Sequence, residues 1–343
     1  MYNFTKVILF SLLLSISLPI FAQDTIPEPK ADQSLHHLFA NIFTGGYYGF
    51  HSQKPNSGFE ISTALIGYQF KKSDKLKFTL IYDVTHTTSN IHVLDTAGNN
   101  LPVSFVKGSE YTAFLKMAEL KWTFTKHLSF SAGQLLNEQY LTVQDKFWGH
   151  RYVLTTMQEL YRMANPADFG MRIEYKNKET FAISLGANNG NGPFYHQDSL
   201  SVIEYTSNLE IYLIDHLLLK AYTALTPATF ETTNNLKTSF SGFIAYQQKS
   251  YKIGIEYSYT NHPSFLSTEF SGVSAFVSVD INSKINLFTR YDYVDNSPIV
   301  KYGNMALLGI QYQPEKNLFL SLNYRYWLPN QVHQLYFNIG AKF

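Results

Sequence analysis

Apolar and polar residues alternate one by one over long stretches of this chain. In 334–343, Leu335, Phe337, Ile339, Ala341 and Phe343 fall on one side of an extended backbone, and Gln334, Tyr336, Asn338, Gly340 and Lys342 on the other. Residues 318–326 set Leu318, Leu320, Leu322, Tyr324 and Tyr326 against Ser321, Asn323 and Arg325. The same pattern runs through 251–259, 273–281 and 169–176, where Phe169, Met171, Ile173 and Tyr175 oppose Gly170, Arg172, Glu174 and Lys176. Period two places successive side chains on opposite faces of a pleated strand. The segments are about ten to fourteen residues long, roughly twice the soluble-domain average and enough for a tilted strand to cross a hydrocarbon layer.

The connections alternate too. Tight turns are predicted at 72–75, 126–127, 177–178, 215–216, 249–250, 282–284 and 314–316. Longer links fall at 51–58, 89–109, 137–166, 189–200, 227–236, 261–267 and 295–301, with one short link near Pro329. Strands with tight turns at one end and long loops at the other predict an all-β fold, a transmembrane antiparallel β-barrel of about sixteen strands. In lipid the sheet must close, because an open edge leaves unpaired N–H and C=O groups. A barrel of this size is predicted to have an interior too wide for side chains to fill, and so to hold water. Strand 110–126 fits poorly, since one uniform register would turn Lys116 toward lipid. A bulge near Lys116, with Ala113, Leu115 and Met117 outward before it, removes the conflict. Strands 59–71 and 237–249 do not reveal which face is which.

The amino terminus reads as an export signal. Lys6 precedes an apolar run of twelve residues, Val7 to Leu18, which is short for a membrane helix; Pro19 and Ile20-Phe21-Ala22 follow. The expected organisation is a signal peptide at 1–22, a periplasmic segment at 23–34 and a barrel at 35–343. Loss of the leader removes Lys6 and lowers 27 basic residues to 26, equal to the 26 acidic ones. A neutral chain without a clustered basic face is not expected to bind nucleic acid. With no cysteine, an exported chain must be stabilised by its sheet and core. The 25 Tyr and 27 Phe suit strand residues at a membrane interface. Trp122, Phe124, Tyr175, Tyr251 and Tyr312 lie near tight turns, and Tyr257, Tyr259, Tyr291, Tyr293, Tyr324 and Tyr326 near longer links.

Charged residues on the polar faces are expected to line the lumen, where water makes them tolerable and where they set ion preference. The link 137–166 joins the fifth and sixth strands and is the third outer loop. Val153, Leu154, Met157, Leu160 and Tyr161 are spaced for one face of a short helix. This loop is expected to fold into the lumen and narrow it. The candidate constriction and lumen residues are Lys146, His150, Arg151, Glu159 and Arg162 in the loop, facing Arg172, Glu174, Arg290, Asp292 and Arg325 on the wall.

Within and after this loop the sequence becomes specific. Phe147-Trp148-Gly149-His150-Arg151-Tyr152, Gln158-Glu159-Leu160-Tyr161, Pro166-Ala167-Asp168-Phe169-Gly170, Asn188-Asn189-Gly190-Asn191-Gly192 and Arg290-Tyr291-Asp292-Tyr293 resemble segments of the phosphate-selective (O/P-type) porin family. The strong part of the resemblance covers about 50 residues around the third loop. It implies a sixteen-stranded, trimeric porin of general or anion-leaning type. Phosphate-selective members line the pore with a ladder of Arg and Lys. Here the polar faces carry nearly equal numbers of acids and bases, so the expected charge selectivity is weak.

No catalytic residues, cofactor or metal are expected: GxSxG, HExxH and a phosphate-binding glycine loop are all missing. His36-His37 and His86 with His92 are the only near pairs of histidine. The expected function is passive diffusion of small hydrophilic solutes or ions across the lipid bilayer of a Gram-negative-type outer membrane. The alternatives are a non-conducting barrel acting as adhesin or assembly partner, a barrel-embedded hydrolase, and a soluble secreted sandwich.

Overall fold

The alternating segments form sixteen antiparallel strands that close on themselves. In chain order they are β1 (Leu35–Gly49), β2 (Ser57–Lys71), β3 (Leu76–His86), β4 (Tyr111–Thr123), β5 (Leu128–Leu136), β6 (Ala167–Asn177), β7 (Phe181–Asn188) and β8 (Glu204–Ile214). There follow β9 (Leu217–Thr226), β10 (Lys237–Gln247), β11 (Tyr251–Asn261), β12 (Glu269–Asp280), β13 (Ile285–Asp295), β14 (Met305–Glu315), β15 (Leu318–Trp327) and β16 (Val332–Lys342). The computed structural model describes residues 35–50, 56–86, 111–141, 143–177, 180–194, 197, 202–214, 216–227, 236–261, 269–295, 304–328 and 331–343. The expected leader 1–22, the segment 23–34, the link 89–109 and His92 lie outside the described residues.

Each strand pairs with its sequence neighbour, and β1 pairs with β16 from Asn41↔Lys342 to Gly49↔Gln334. Closure leaves no edge with unpaired backbone groups. Because paired residues share a face, the registers trace rows around the wall. One outward row runs Leu219, Ile244, Ile255, Ala275, Tyr291, Ala306, Tyr326. One inward row runs Ala182, Glu210, Lys220, Phe243, Glu256, Ser274, Asp292, Met305, Trp327, Val332. Outward apolar side chains such as Ile255, Leu308, Ile310, Leu322 and Phe337 are exposed, whereas Glu256, Ser274, Asp292, Asn323 and Asn338 are buried. The polarity is that of a globular protein turned inside out. An exposed apolar band of this extent suits a non-aqueous surrounding. Trp122, Phe124, Tyr175, Tyr257, Tyr291, Tyr293, Tyr312 and Tyr324 are all exposed on this outer face.

Three local expectations change. The β3–β4 register shifts between Ile81 and Tyr82, leaving Lys116 as the extra residue. Lys116 turns inward and its Nζ lies 2.6 Å from Asp83 Oδ2. The bulge is where the charge required it, but Met117 pairs with Ile81 and is buried on the inner side, not outward. Strand β14 continues through Pro314 to Glu315, so the turn moves to 316–317, where Asn317 has φ 68°. The β14–β15 register shifts between Tyr312 and Glu315, which accommodates a proline that cannot donate to the ladder. The short helix expected from Val153 onward is confined to Met157–Leu160, and another helix occupies Val143–Trp148.

Candidate functional site

The inner face is not uniformly polar, and this decides how the interior is used. Phe243 on β10, Phe276 on β12, Phe288 on β13, Met305 and Leu307 on β14, Trp327 on β15 and Phe43 on β1 all point inward. They form one apolar cluster with Trp148, Tyr152, Val153, Met157, Tyr161 and Met163 of the 137–166 segment. Trp148 packs edge-on against Phe276 and Phe288, with centroids 5.4 and 6.1 Å apart. The expectation of an interior filled by water therefore fails along β10 to β16. There, inward aromatic residues interrupt the polar face and exclude water.

Wall glycines make room for this packing. A Cβ on Gly340 would lie 2.7 Å from Tyr152 Cβ, and one on Gly272 would lie 2.9 Å from Met163 Cε. On the wall itself the Phe276 and Phe288 rings lie over Gly254 and Gly309.

Polar anchors fix the same segment. Gln144 Oε1 accepts from Lys220 Nζ at 2.6 Å, and Lys220 also donates to the Glu138 carbonyl. Gln158 Nε2 donates to Ser241 Oγ at 3.0 Å. His150 lies between Ser278 Oγ and Gln311 Oε1, each at 3.2 Å, and stacks on Phe288 with centroids 4.2 Å apart. Tyr152 OH donates to Gln311 Oε1 at 3.0 Å. Arg325 Nη2 donates to the Val153 carbonyl at 2.6 Å, and its guanidinium carbon sits 3.5 Å from the Tyr336 ring centre. Arg290 holds the Thr155 carbonyl and pairs with Asp292.

The predicted site residues thus divide by place. Arg290, Asp292 and Arg325 are almost fully buried and anchor the 137–166 segment. Arg151 bridges Glu159 through both carboxylate oxygens, at 2.6 and 2.7 Å, and reaches Asp145 at 3.0 Å, so these charges brace the segment internally. Burial alone would raise the Glu159 carboxyl, but the Arg151 charge and its hydrogen bonds outweigh that and hold it below the usual range. Burial pushes the His150 imidazole down to about 3. Lys146, Arg162, Arg172 and Glu174 line two cavities, while Arg151 and Glu159 keep side-chain exposures of 16% and 22% outside them.

That space lies between the 137–166 segment and the wall from β4 to β11, meeting the apolar cluster at β10 and β11. A cavity of about 650 Å³ reaches the tight-turn end, where Lys126, His127 and Lys176 line it together with Lys121, Glu174 and Glu210. A smaller cavity of about 150 Å³ reaches the long-link end, lined by Asn165, Asp168, Asn188, Glu204 and Lys237. Glu138 and Arg172 line both. Glu138, Glu204, Glu210, Lys121 and Lys237 were not singled out as site residues. Alternation shows that Lys121, Glu204 and Glu210 face inward, but it leaves Lys237 undecided and does not say which sector of a closed wall the segment leaves open.

The Pro166–Gly170 and Asn188–Gly192 motifs meet here. Asp168 Oδ2 accepts from the Gly190 N–H at 2.6 Å, and Gly190 and Gly192 adopt φ of 81° and 83°. Among the described residues, no group of three or more His, Asp or Glu is arranged to hold a metal ion.

No protein-family model matches the chain, and no curated protein matches it in sequence. Solved structures do. OmpF of Salmonella typhi, in complex with daunomycin, superposes with a TM-score of 0.63 at 11% identity, covering 90% of this chain and 97% of that one. The outer-membrane channel DcaP of Acinetobacter baumannii gives 0.60 at 13%, over 92% and 99%. A loop-deletion mutant of OmpT, an outer membrane protein of Vibrio cholerae, gives 0.60 at 14%, over 91% and 100%. The identities are too low to carry function, but the coverage is nearly complete at both ends of the comparison. The chain has the closed sixteen-stranded antiparallel barrel of the outer-membrane porins.

Proposed function

We propose that this chain is an outer-membrane porin for passive diffusion of small hydrophilic solutes or ions. The segment 137–166 is its third outer loop, folded into the barrel and restricting the water path to one sector. The observation that carries the reading is the division of the interior. An apolar cluster fills the β10–β16 side, while two cavities with charged linings border β4 to β11 and share Glu138 and Arg172. Charges within the span of a bilayer are tolerable where they face water or an opposite charge, and those around the two cavities would set the preference of solutes passing them.

The exposed apolar belt supports a lipid bilayer around the barrel, and the apolar run at 7–18 supports export and cleavage of 1–22 before insertion. A homotrimer fits the same picture; one similar structure is described as the trimer form of OmpT. The phosphate-selective (O/P-type) resemblance of 147–170 and 188–192 is in keeping with the Asp168–Gly190 hydrogen bond that joins those motifs. The two cavities are lined by seven Lys or Arg against five Asp or Glu, a small excess that supports weak, anion-leaning selectivity.

Planar-bilayer recording of the folded protein tests the reading. Stepwise single-channel currents are expected, and their absence from correctly folded material rejects the pore. Deleting 143–163 is expected to raise the conductance; an unchanged value places that segment outside the path.

A further inference from the structure

We propose that the β2–β3 and β4–β5 turns form a surface for anionic phospholipid headgroups, with Lys72, Lys75 and Lys126 as its cations and Trp122 and Phe124 as its floor. This rests on the reading of the outer face as lipid-bound and adds the headgroup chemistry that one part of it selects. The seven tight turns predicted between 72 and 316 hold seven lysines against three acids, whereas the long links outside 137–166 hold three lysines against four acids. Among the described residues, Lys72, Lys75, Lys126, Lys249, Lys284 and Lys316 are exposed on five of these turns. Positive charge therefore collects at one rim of the barrel.

The excess is least balanced at the β2–β3 and β4–β5 turns. The exposed acids of the rim are engaged elsewhere: Asp74 pairs with Lys71, Asp280 accepts from Asn286 Nδ2 at 2.7 Å, and Glu315 adjoins Lys316. Lys72, Lys75 and Lys126 pair with no carboxylate among the described residues. The backbone holds the two turns side by side, since the Thr123 N–H donates to the Lys75 carbonyl at 2.7 Å. Leu76 pairs with Trp122 on the outer face, and Trp122 and Phe124 are both exposed with ring centres 4.5 Å apart.

The occupant follows from what surrounds the lysines. The aromatic floor continues into the exposed apolar wall through Leu120, so a lipid reaches it without leaving the belt. Lys72 and Lys75 line neither of the two charged cavities, so passing solutes are not their target, although Lys126 also borders the wide one. A soluble polyanion would have no use for the indole. Trp seats at headgroup depth, and a lysine stem lies along apolar surface while its ammonium reaches the phosphate.

Trp122 is a built-in reporter, because Trp148 and Trp327 are buried inside the barrel. The full chain is placed in vesicles of phosphatidylcholine and phosphatidylglycerol, with brominated acyl chains on one lipid at a time. Bromine quenches tryptophan only at short range, and Trp122→Phe supplies the background. A lysine beside an anionic headgroup changes its occupancy about fivefold, so phosphatidylglycerol is expected to be enriched at Trp122 by about that factor or more at low salt. The triple variant Lys72→Gln, Lys75→Gln, Lys126→Gln is expected to bring the two lipids level. Salt at about 1 M should do the same, since it shortens screening to about 3 Å. Tyr291→Trp in the Trp122→Phe background, exposed on β13 toward the long-link end, is expected to show no preference.

Quenching of the triple variant by brominated phosphatidylcholine shows that it is inserted, so that loss of preference is not loss of fold. Equal quenching of the wild type by both lipids overturns the headgroup surface and leaves the lipid belt standing. A preference that survives the triple variant, or that Tyr291→Trp shares, also overturns it. Absence of quenching by either lipid removes the lipid reading of the outer face itself.

Discussion

Replacing Arg290 by methionine separates a structural charge from a pore-lining one. Arg290 Nε and Nη2 donate to the two carboxylate oxygens of Asp292 at 2.8 and 2.7 Å, and Nη1 holds the Thr155 carbonyl. Its guanidinium lies 5.3 Å from the Trp148 ring centre. Arg290 is 2% exposed and Asp292 is 0% exposed. Removing one partner of such a pair leaves an uncompensated buried charge, which costs about 3–5 kcal/mol. The lost anchor on Thr155 adds about 1 kcal/mol. Arg290→Met is therefore expected to destabilise the folded barrel by about 4 kcal/mol or slightly more. Asp292→Asn removes the stranded charge and keeps an acceptor for Ser274 Oγ, now 2.6 Å away. The double variant is expected to recover about 2–3 kcal/mol of the loss. Urea unfolding of the vesicle-inserted protein, followed through fluorescence in a background with Trp122 and Trp327 replaced by Phe, measures all three differences. A pair standing in water would contribute less than about 1 kcal/mol and would change ion selectivity when removed. A single-variant loss below that value, or a double variant as unstable as the two losses added, refutes the assignment of this pair to the filled side.

Further outcomes follow from the loop. Gly340→Ala brings a methyl group against Tyr152 and is expected to cost about 1–3 kcal/mol of overpacking, with faster proteolytic cleavage in 143–163. Unchanged cleavage would mean that Tyr152 yields freely. Acid should loosen the same segment through His150, which lies in the connection and not in a strand. The folded imidazole gives up its proton far more readily than its ordinary value of 6.5. Docking is therefore fully supported above 6.5 and loses roughly 1.4 kcal/mol per pH unit as the pH falls from there toward 3. Glu159 acts in the same direction only in stronger acid, since its brace to Arg151 is present above the ordinary carboxyl value of 4.5 and is lost as pH falls through a folded value lower still. With Trp122 and Trp327 replaced by Phe, Trp148 emission between pH 7 and 4 reads the His150 window, and His150→Asn should flatten it. A curve indifferent to that substitution assigns the acid response elsewhere.

The barrel was legible because its signal is local. Alternation fixes which side chains share a face, and tight and long connections in turn fix strand count and direction. Even the Lys116 bulge followed from the cost of a lysine facing lipid, and Asp83 is the partner that the inward turn provides. What the chain alone did not disclose is how a closed wall divides its interior. Lys146, Arg151 and Glu159 lie close together in sequence, yet Lys146 borders open space while Arg151 closes on Glu159 within the loop. Arg172 and Arg290 occupy equivalent inward positions, but only Arg172 borders a cavity. Inward aromatics at Phe243, Phe276 and Phe288 were the available clue, since a wet wall has no use for them. Period two determines the face of a residue, because it depends on the backbone of one strand. Which sector is filled and which is open depends on where a distant segment lands, and that is set by packing and buried hydrogen bonds across many strands.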